Sequence, residues 1–179
     1  MESHLVCFAH GKESGPWGIK IKRLAEIAKI KGYRVESPDY SFTMNPDERA
    51  QYLLKLNPKA QKLVLVGSSM GGYVSAVASN ELKPCGLFLL APAFYRDGYR
   101  FQSPKPSAEK TSIIHGWQDE VISVNHSIEY ARIYKANLHL FNGDHQLLGV
   151  LPAIEKLFAE FLEDCHTIPS SEIEVKSES

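Results

Sequence analysis

The fold of this chain is decided by residues 63–72, LVLVGSSMGG. The first four residues are continuously apolar, as expected for a strand that is buried on both faces. Small residues then continue through 71–82, which predicts a helix packed closely against that strand. Between the strand and the helix lies a G-x-S-x-G pentapeptide, residues 67–71. The serine of this motif acts as a nucleophile when the motif follows a strand and precedes a helix.

The same alternation of short apolar runs and amphipathic segments extends along the whole chain. Strands are predicted at 5–9, 33–36, 63–66, 86–90, 112–114 and 138–141, and helices at 17–31, 46–56, 71–82, 123–134 and 151–162. Strands and helices that alternate in this way are typical of a parallel sheet covered on both faces. We therefore predict an α/β fold, a three-layer α/β/α sandwich around a six-stranded sheet that is mostly or wholly parallel.

The composition is that of one folded domain. The chain has 179 residues, 44% of them hydrophobic and 23% charged, close to the average for globular proteins. With 20 Lys+Arg against 21 Asp+Glu, the net charge of -1 gives no reason to expect a nucleic acid or an anionic membrane as partner. We predict an α/β domain over residues 1–165 and a mobile polar tail over 166–179.

The cysteines and the N-terminal residues exclude several further classes. Cys7, Cys85 and Cys165 are far apart and odd in number, so neither a disulfide framework nor a zinc site is expected. We expect no metal and no cofactor. The first residues lack the basic region of a signal peptide, and no stretch approaches the ~20 apolar residues of a transmembrane helix. These features predict a cytoplasmic protein.

Ser69 is the candidate nucleophile because it is the central serine of the pentapeptide. A sharp turn from strand to helix strains the backbone of this serine and exposes its hydroxyl. Gly67 and Gly71 are expected where the chain approaches itself too closely for a side chain. The turn also directs the Met70 amide towards an anionic intermediate, as one donor of an oxyanion hole. Ser68 is adjacent but at the wrong position of the pentapeptide.

A nucleophilic serine needs a base, which is commonly a histidine. In enzymes with this turn, the order along the chain is serine, acid, histidine. His145 follows the predicted strand at 138–141 and is the candidate that remains after elimination. His126 falls within a predicted helix, His139 within a strand and His166 in the tail.

The acid that orients the base is predicted to be Asp119. It follows the strand at 112–114 and lies between Ser69 and His145 in the chain. Glu120 and Asp144 lie near the same edge of the sheet and remain alternatives at this point. Asp144 is next to the histidine in sequence, which is an awkward position for an orienting partner.

The first predicted strand ends at His10-Gly11, which has two interpretations. Gly11 would let the backbone pass close to a substrate, and the amide of Lys12 would then be the second oxyanion donor beside Met70. The alternative is a tight loop in which His10 is a buried, hydrogen-bonded residue with no further role.

Taken together, these motifs resemble the α/β-hydrolase superfamily over residues 4–164. The matching segments are His10-Gly11, residues 67–71, the HGWQDEV stretch at 115–121, and Gly143-Asp144-His145. The resemblance is greatest to small, single-domain, esterase-like members. It implies that Ser69, Asp119 and His145 form a catalytic triad and that the Lys12 and Met70 amides form the oxyanion hole.

The sequence departs from this family in two respects. The usual two leading strands are missing, so we expect the six remaining strands to form a wholly parallel sheet. No insertion is long enough for a lid domain, and the candidates for a small cover are residues 92–110 and 12–17. An uncovered site suits small or varied acyl substrates.

Two groups of residues are candidates for substrate contact. Residues 12–34 contain seven Lys/Arg and two Glu, which would attract anionic substrates or a phosphate-bearing acyl carrier. The favoured interpretation of that segment is nevertheless a solvated helix face. Aromatic residues in or beside the edge loops are candidates for an acyl pocket, with core packing as the alternative: Trp17, Phe94, Tyr95, Tyr99, Phe101 and Trp117.

Three classes of function follow from the sequence. The favoured one is a serine hydrolase, a carboxylesterase or thioesterase that acts on a small acyl substrate through an acyl-enzyme. The second is an acyltransferase, amidase, peptidase or perhydrolase with the same triad. The third is a non-catalytic binding protein, which is disfavoured because candidates for all triad members occur in the expected order.

Overall fold

The computed structural model describes residues 3–169 and contains a six-stranded sheet in which each strand is parallel to its neighbours. The strands are β1 His4–Ala9, β2 Arg34–Glu36, β3 Lys62–Ser68, β4 Gly86–Leu90, β5 Lys110–Gly116 and β6 Asn137–Phe141. Their order across the sheet is β2-β1-β3-β4-β5-β6. The predicted α/β class and the wholly parallel sheet are confirmed.

Helices cover both faces of the sheet, which completes the three layers. They are α1 Ile19–Ile30, α2 Pro46–Leu56, α3 Met70–Leu82, α4 Val124–Tyr134 and α5 Leu151–Thr167, and a 3-10 turn at Leu148–Val150 precedes α5. Helices α1 and α5 bury their apolar side chains on one face of the sheet. Helices α2, α3 and α4 bury theirs on the other.

Strand β3 shows why its sequence is continuously apolar. Val64 and Val66 point into the core beneath α1 and α5, whereas Leu63 and Leu65 point into the core beneath α2, α3 and α4. All four are buried. Each such side chain contributes roughly 1.5–3 kcal/mol when it leaves water, so a polar residue at any of the four positions would destabilise one of the two cores.

Two helices begin where the sequence places their caps. The Asn45 side chain accepts hydrogen bonds from the Asp47 and Glu48 amides at 2.9 and 3.3 Å, and Pro46 is the first helical residue of α2. Ser123 accepts a hydrogen bond from the Asn125 amide at 3.3 Å at the start of α4.

The end of α5 differs from the prediction. The helix does not stop at 162 but continues to Thr167, because its apolar face continues to Cys165, which is fully buried. His166 and Thr167, assigned to the polar tail by sequence, are therefore helical. Residues 170–179 of that tail lie outside the described residues. Within residues 3–169, none of the helices combines the length and apolar character that a membrane crossing requires.

The topology brings the predicted edge loops together. The chain leaves β1 towards β2 on one side of the sheet and leaves β3 towards β4 on the other, and ligands of open parallel sheets bind at such a switch point between neighbouring strands. Ala9 of β1 is paired with Gly67 of β3. Because the two strands end side by side, Gly11 and Ser69 emerge next to each other.

Candidate active site

The backbone of Ser69 is strained in the manner expected of a nucleophile. Its φ is 55° and its ψ is -117°, in a region where a residue with a side chain costs on the order of 1–3 kcal/mol. Two hydrogen bonds hold it there. The Ser69 amide donates to the Leu90 carbonyl at 2.9 Å, and the Ala93 amide donates to the Ser69 carbonyl at 3.0 Å. The strain is thus fixed by β4 and the loop that follows it.

The two glycines of the pentapeptide are required by close backbone contacts. A Cβ added to Gly67 would overlap the carbonyl of Gly71, and one added to Gly71 would overlap the carbonyl of Ala9. The first contact closes the turn on itself. The second brings the start of α3 against the end of β1, and thereby places Ser69 beside the loop that begins at His10.

The three predicted triad side chains form one hydrogen-bonded chain. His145 Nε2 lies 3.1 Å from Ser69 Oγ, and His145 Nδ1 lies 2.7 Å from Asp119 Oδ2. The Asp119 side chain is fully buried, whereas that of His145 is 16% exposed. Because an ionised Asp119 can only accept, Nδ1 carries the proton and Nε2 is free to accept the serine hydroxyl proton.

The structure distinguishes between the three candidate carboxylates. Glu120 is exposed. Asp144 is also exposed, and its Oδ1 accepts a hydrogen bond from the Leu147 amide at 3.0 Å, which fixes the loop that carries His145. Asp119 is the one that contacts the imidazole of His145.

Asp119 is held in its ionised form by hydrogen bonds. Its Oδ1 accepts from the amides of Val121 and Ile122, both at 2.8 Å, while Oδ2 faces His145. Burial by itself would raise the pKa of Asp119, but the amides and the imidazole outweigh it, and the pKa lies below its usual value. The carboxylate therefore remains charged and can orient and stabilise the imidazole.

His115 is a second histidine beside the Asp119 carboxylate, and sequence analysis assigned it no role beyond membership of a motif. Its Nε2 lies 3.0 Å from both Asp119 Oδ2 and the Ile122 carbonyl, and its Nδ1 lies 2.7 Å from Ser127 Oγ. Both neighbours of Nε2 are acceptors, so Nε2 carries the proton and Ser127 donates to Nδ1. Burial lowers the pKa of His115, which keeps the ring neutral and able to donate to Asp119.

Hydrogen bonds to the Gly11 and Lys12 carbonyls fix the orientation of the peptide between these two residues. The Gly11 carbonyl accepts from His10 Nδ1 at 2.8 Å and from Arg49 Nη1 at 3.0 Å, and Arg49 Nη2 donates to the Lys12 carbonyl at 3.1 Å. In a trans peptide the amide points away from the preceding carbonyl. The Lys12 amide is therefore directed away from Arg49, and Lys12 lines the same cleft as Ser69 and Met70.

His10 is a buried, hydrogen-bonded residue, and it also contacts the loop that leads to Lys12. Its side chain is buried and satisfied, since Nε2 accepts from the Tyr40 amide at 2.9 Å while Nδ1 donates to Gly11. That same hydrogen bond helps to orient the Lys12 amide. Sequence reasoning missed Arg49, which is fully buried. The sequence feature that could have indicated a buried arginine is its position four residues before Leu53, which places it on the apolar face of the amphipathic helix α2.

A cleft of about 590 Å³ opens at Ser69 and His145. Its walls include parts of the two predicted cover segments, through residues such as Gly15 and Tyr99, the first turn of α1, and Val121 and Leu148 near the triad loops. The wall on each side is a short loop, so the nucleophile is reached without passing an inserted domain.

The predicted acyl pocket needs correction. Of the six candidate aromatic residues, Tyr99 lines the cleft. The other five do not line it: Trp17, Phe94, Tyr95, Phe101 and Trp117. Phe94 is fully buried and stacks on Tyr130, with ring centroids 4.0 Å apart. The Tyr95 hydroxyl donates to Ser103 Oγ at 3.2 Å. Sequence places an aromatic residue in a loop but does not decide whether its ring turns inwards or towards the cleft.

No family model and no curated protein sequence matches this chain. Solved structures do. A protein of the α/β superfamily of hydrolases from Xanthomonas campestris pv. campestris is 32% identical, with a TM-score of 0.83, and the match covers 92% of this chain and 99% of that one.

More distant structures share the fold. An esterase from Pyrococcus furiosus is 18% identical, with a TM-score of 0.76, over 91% of this chain and 83% of that one. An α/β serine hydrolase without a lid, from Xanthomonas campestris, is also 18% identical, with a TM-score of 0.70, over 91% of this chain and 82% of that one.

Proposed function

Given that this chain belongs to the α/β superfamily of hydrolases, we propose that it cleaves carboxylic esters or thioesters of small acyl groups through an acyl-enzyme on Ser69. One observation carries the proposal: the continuous hydrogen-bonded chain from Asp119 through His145 to Ser69. The serine at its end occupies a strained turn in the wall of a cleft.

In the first half of the proposed reaction, Ser69 Oγ attacks the carbonyl carbon of the substrate. His145 Nε2 takes the hydroxyl proton as the new C–O bond forms, and Asp119 stabilises the resulting imidazolium. When the tetrahedral intermediate collapses, the bond to the alcohol or thiol breaks. The leaving group takes the proton from His145, and the acyl group remains on Ser69.

In the second half, water replaces the leaving group. His145 removes a proton from the water, the hydroxide attacks the acyl carbon, and the acid is released as Ser69 regains its proton. The Lys12 and Met70 amides are assigned the developing oxyanion, because both line the cleft at Ser69 and neither donates to a backbone carbonyl within residues 3–169.

The choice of an ester or thioester rests on the character of the site. The cleft is bounded by short loops and lies beside a nucleophile, which suits small acyl groups with varied leaving groups. The Pyrococcus furiosus structure with the same fold is named an esterase, which supports the same substrate class. The proposed cycle uses side chains, backbone amides and water.

The test combines a covalent label with a matched pair of serine variants. A fluorophosphonate should label Ser69, and Ser69→Ala should abolish labelling and lower kcat for p-nitrophenyl esters by up to about a million-fold. Ser75→Ala is the control, because Ser75 lies buried in α3 and its hydroxyl has no hydrogen-bond partner within residues 3–169. Turnover retained in Ser69→Ala would contradict the assignment.

A substrate panel then separates the proposal from its alternatives. We expect rates to be highest on short-chain p-nitrophenyl esters and acyl-CoA thioesters. Faster cleavage of aminoacyl amides would instead identify an amidase or peptidase, and faster transfer to an added alcohol than to water would identify an acyltransferase. A protein with no Ser69-dependent turnover on any of them would have a binding role.

A further inference from the structure

Lys20 lies in the first turn of α1 and lines the same cleft as Ser69 and His145. Its side chain is half-buried, whereas its neighbour Lys22 is exposed and does not line the cleft. Lys20 thus shares the wall of one cleft with the proposed nucleophile.

The fold gives no structural reason for a cation at this position. The ion pairs within residues 3–169 include Lys29 with Glu26 and Lys31 with Glu163, but none that involves Lys20. A positive charge in the first turn of a helix also opposes the helix dipole. Lys20 therefore does not stabilise α1, and its ammonium has no carboxylate partner in the described part of the chain.

The carboxylates whose charge acts on Lys20, those of Asp119 and Asp144, are hydrogen-bonded to other groups. Asp119 accepts hydrogen bonds from the triad histidine and from two amides, and Asp144 accepts one from the Leu147 amide. Burial lowers the pKa of Lys20 to about 8, and the fields of Asp119 and Asp144 oppose that shift only in part. At neutral pH Lys20 is thus a mostly charged, desolvated ammonium, and an anion beside it would recover the lost solvation.

Most of the other charged residues of the cleft wall are also basic. Lys12 and Arg96 line it as well, and Arg96 Nη1 donates to the Val121 carbonyl at 3.3 Å, which fixes the guanidinium near the triad loop. Glu13 is the acidic residue of this wall, and it is exposed. The cleft wall therefore has an excess of positive charge around the nucleophile.

We propose that the cleft selects esters or thioesters that carry a second, negatively charged group, and that Lys20 binds this group. The inference rests on the proposed function, because it concerns the substrate of the same site. It also assigns a role to one lysine of the basic segment 12–34, whose other lysines include exposed and ion-paired residues on the α1 surface.

Two pairs of esters test the proposal and locate the charge. 4-Nitrophenyl hydrogen adipate and its neutral methyl ester differ in charge on the acyl side. 4-Acetoxybenzoate and its methyl ester differ in charge on the leaving-group side. For each pair the measured quantity is the ratio of kcat/KM for the anionic ester to that for the neutral ester, after subtraction of the Ser69→Ala rate.

We expect the wild-type ratio to exceed one for at least one pair, and Lys20→Met to lower that ratio about ten- to a hundred-fold, mainly through KM. Lys20→Arg keeps the charge and should retain most of the preference. Lys22→Met, a change of the same kind on the exposed face of α1, should leave the ratio unchanged. Melting curves check that each variant is folded.

The outcomes separate the two proposals. Ser69-dependent hydrolysis with the same ratio in wild type and Lys20→Met would overturn the anion site and leave the hydrolase proposal standing. An equal loss in Lys22→Met would show general attraction by surface charge and would also overturn it. Absence of Ser69-dependent hydrolysis on all four esters would overturn the proposed function and this inference with it.

Discussion

Arg49 is the residue whose replacement most directly tests how the oxyanion loop is built. Its guanidinium is fully buried and makes its shorter hydrogen bonds to three carbonyls, those of Thr43 at 2.8 Å, Gly11 at 3.0 Å and Lys12 at 3.1 Å, with a longer one to the His10 carbonyl at 3.5 Å. Arg49→Met keeps a similar apolar stem but removes all three donors. All three carbonyls then lose a hydrogen bond from a charged donor, and the Gly11 carbonyl keeps those from His10 and Ser14.

The expected loss of stability follows from these contacts. A hydrogen bond from a charged donor contributes about 1.5 kcal/mol or more, and an acceptor left buried and unsatisfied costs about 1–3 kcal/mol. Loss of the three shorter hydrogen bonds from the charged guanidinium predicts a loss of roughly 3–5 kcal/mol for Arg49→Met, a large part of the ~5–15 kcal/mol of a typical domain. Urea unfolding measures the change.

Catalysis should suffer separately from stability. Without Arg49, the Gly11 carbonyl keeps donors only from its own loop, His10 Nδ1 at 2.8 Å and Ser14 Oγ at 3.4 Å, so the plane of the Gly11–Lys12 peptide can rotate. Loss of one oxyanion donor costs on the order of 100- to 1,000-fold in kcat. We expect about a 100-fold fall in kcat at a temperature where the variant is folded, with little change in KM, measured on p-nitrophenyl esters.

Two further variants complete this test. Arg49→Lys supplies one point charge that cannot reach the Gly11 and Lys12 carbonyls together, so it should recover some stability but little kcat, and it remains informative if Arg49→Met does not fold. Arg132→Met, at an exposed arginine of α4, should change neither quantity by much. A folded Arg49→Met with wild-type kcat would refute the proposed orientation of the Lys12 amide.

Two other predictions concern protonation and packing. Burial lowers the pKa of His10 and of His115 below 6.5, so the unfolded chain binds protons more readily than the folded one. The free energy of unfolding should therefore be greatest above about pH 6.5 and fall as the pH drops below it. Urea unfolding between about pH 8 and 5 that shows no decline would contradict this. The added methyl group of Gly71→Ala would overlap the Ala9 carbonyl, so we expect severe destabilisation and loss of activity. The added methyl group of Gly149→Ala meets no atom within 4 Å, so this control should behave as wild type in melting and esterase assays. Equal behaviour of the two variants would show that the turn at Gly71 is not tightly closed.

Much of the architecture was predictable because it depends on local patterns. Six apolar runs predicted the six strands, and two helices predicted from residues 46 and 123 start close to those positions, where Asn45 and Ser123 cap amides two or three residues away. The end of α5 was not predictable from these signals. There the burial of Cys165 against the rest of the core outweighs a polar local sequence.

The sequence by itself determined the nucleophile turn and the candidates for base and acid, because G-x-S-x-G requires local backbone contacts and chain order restricts the partners. Only the tertiary structure decided between Asp119, Glu120 and Asp144, since the choice depends on which carboxylate reaches His145 across the sheet edge. It also assigned positions to Arg49 and Lys20, which look like ordinary helix residues in sequence. Arg49 meets the loop at Gly11 and Lys12, and Lys20 lies in the wall of the cleft beside Ser69, only because the fold brings together segments that are distant in the chain, and no local pattern records that.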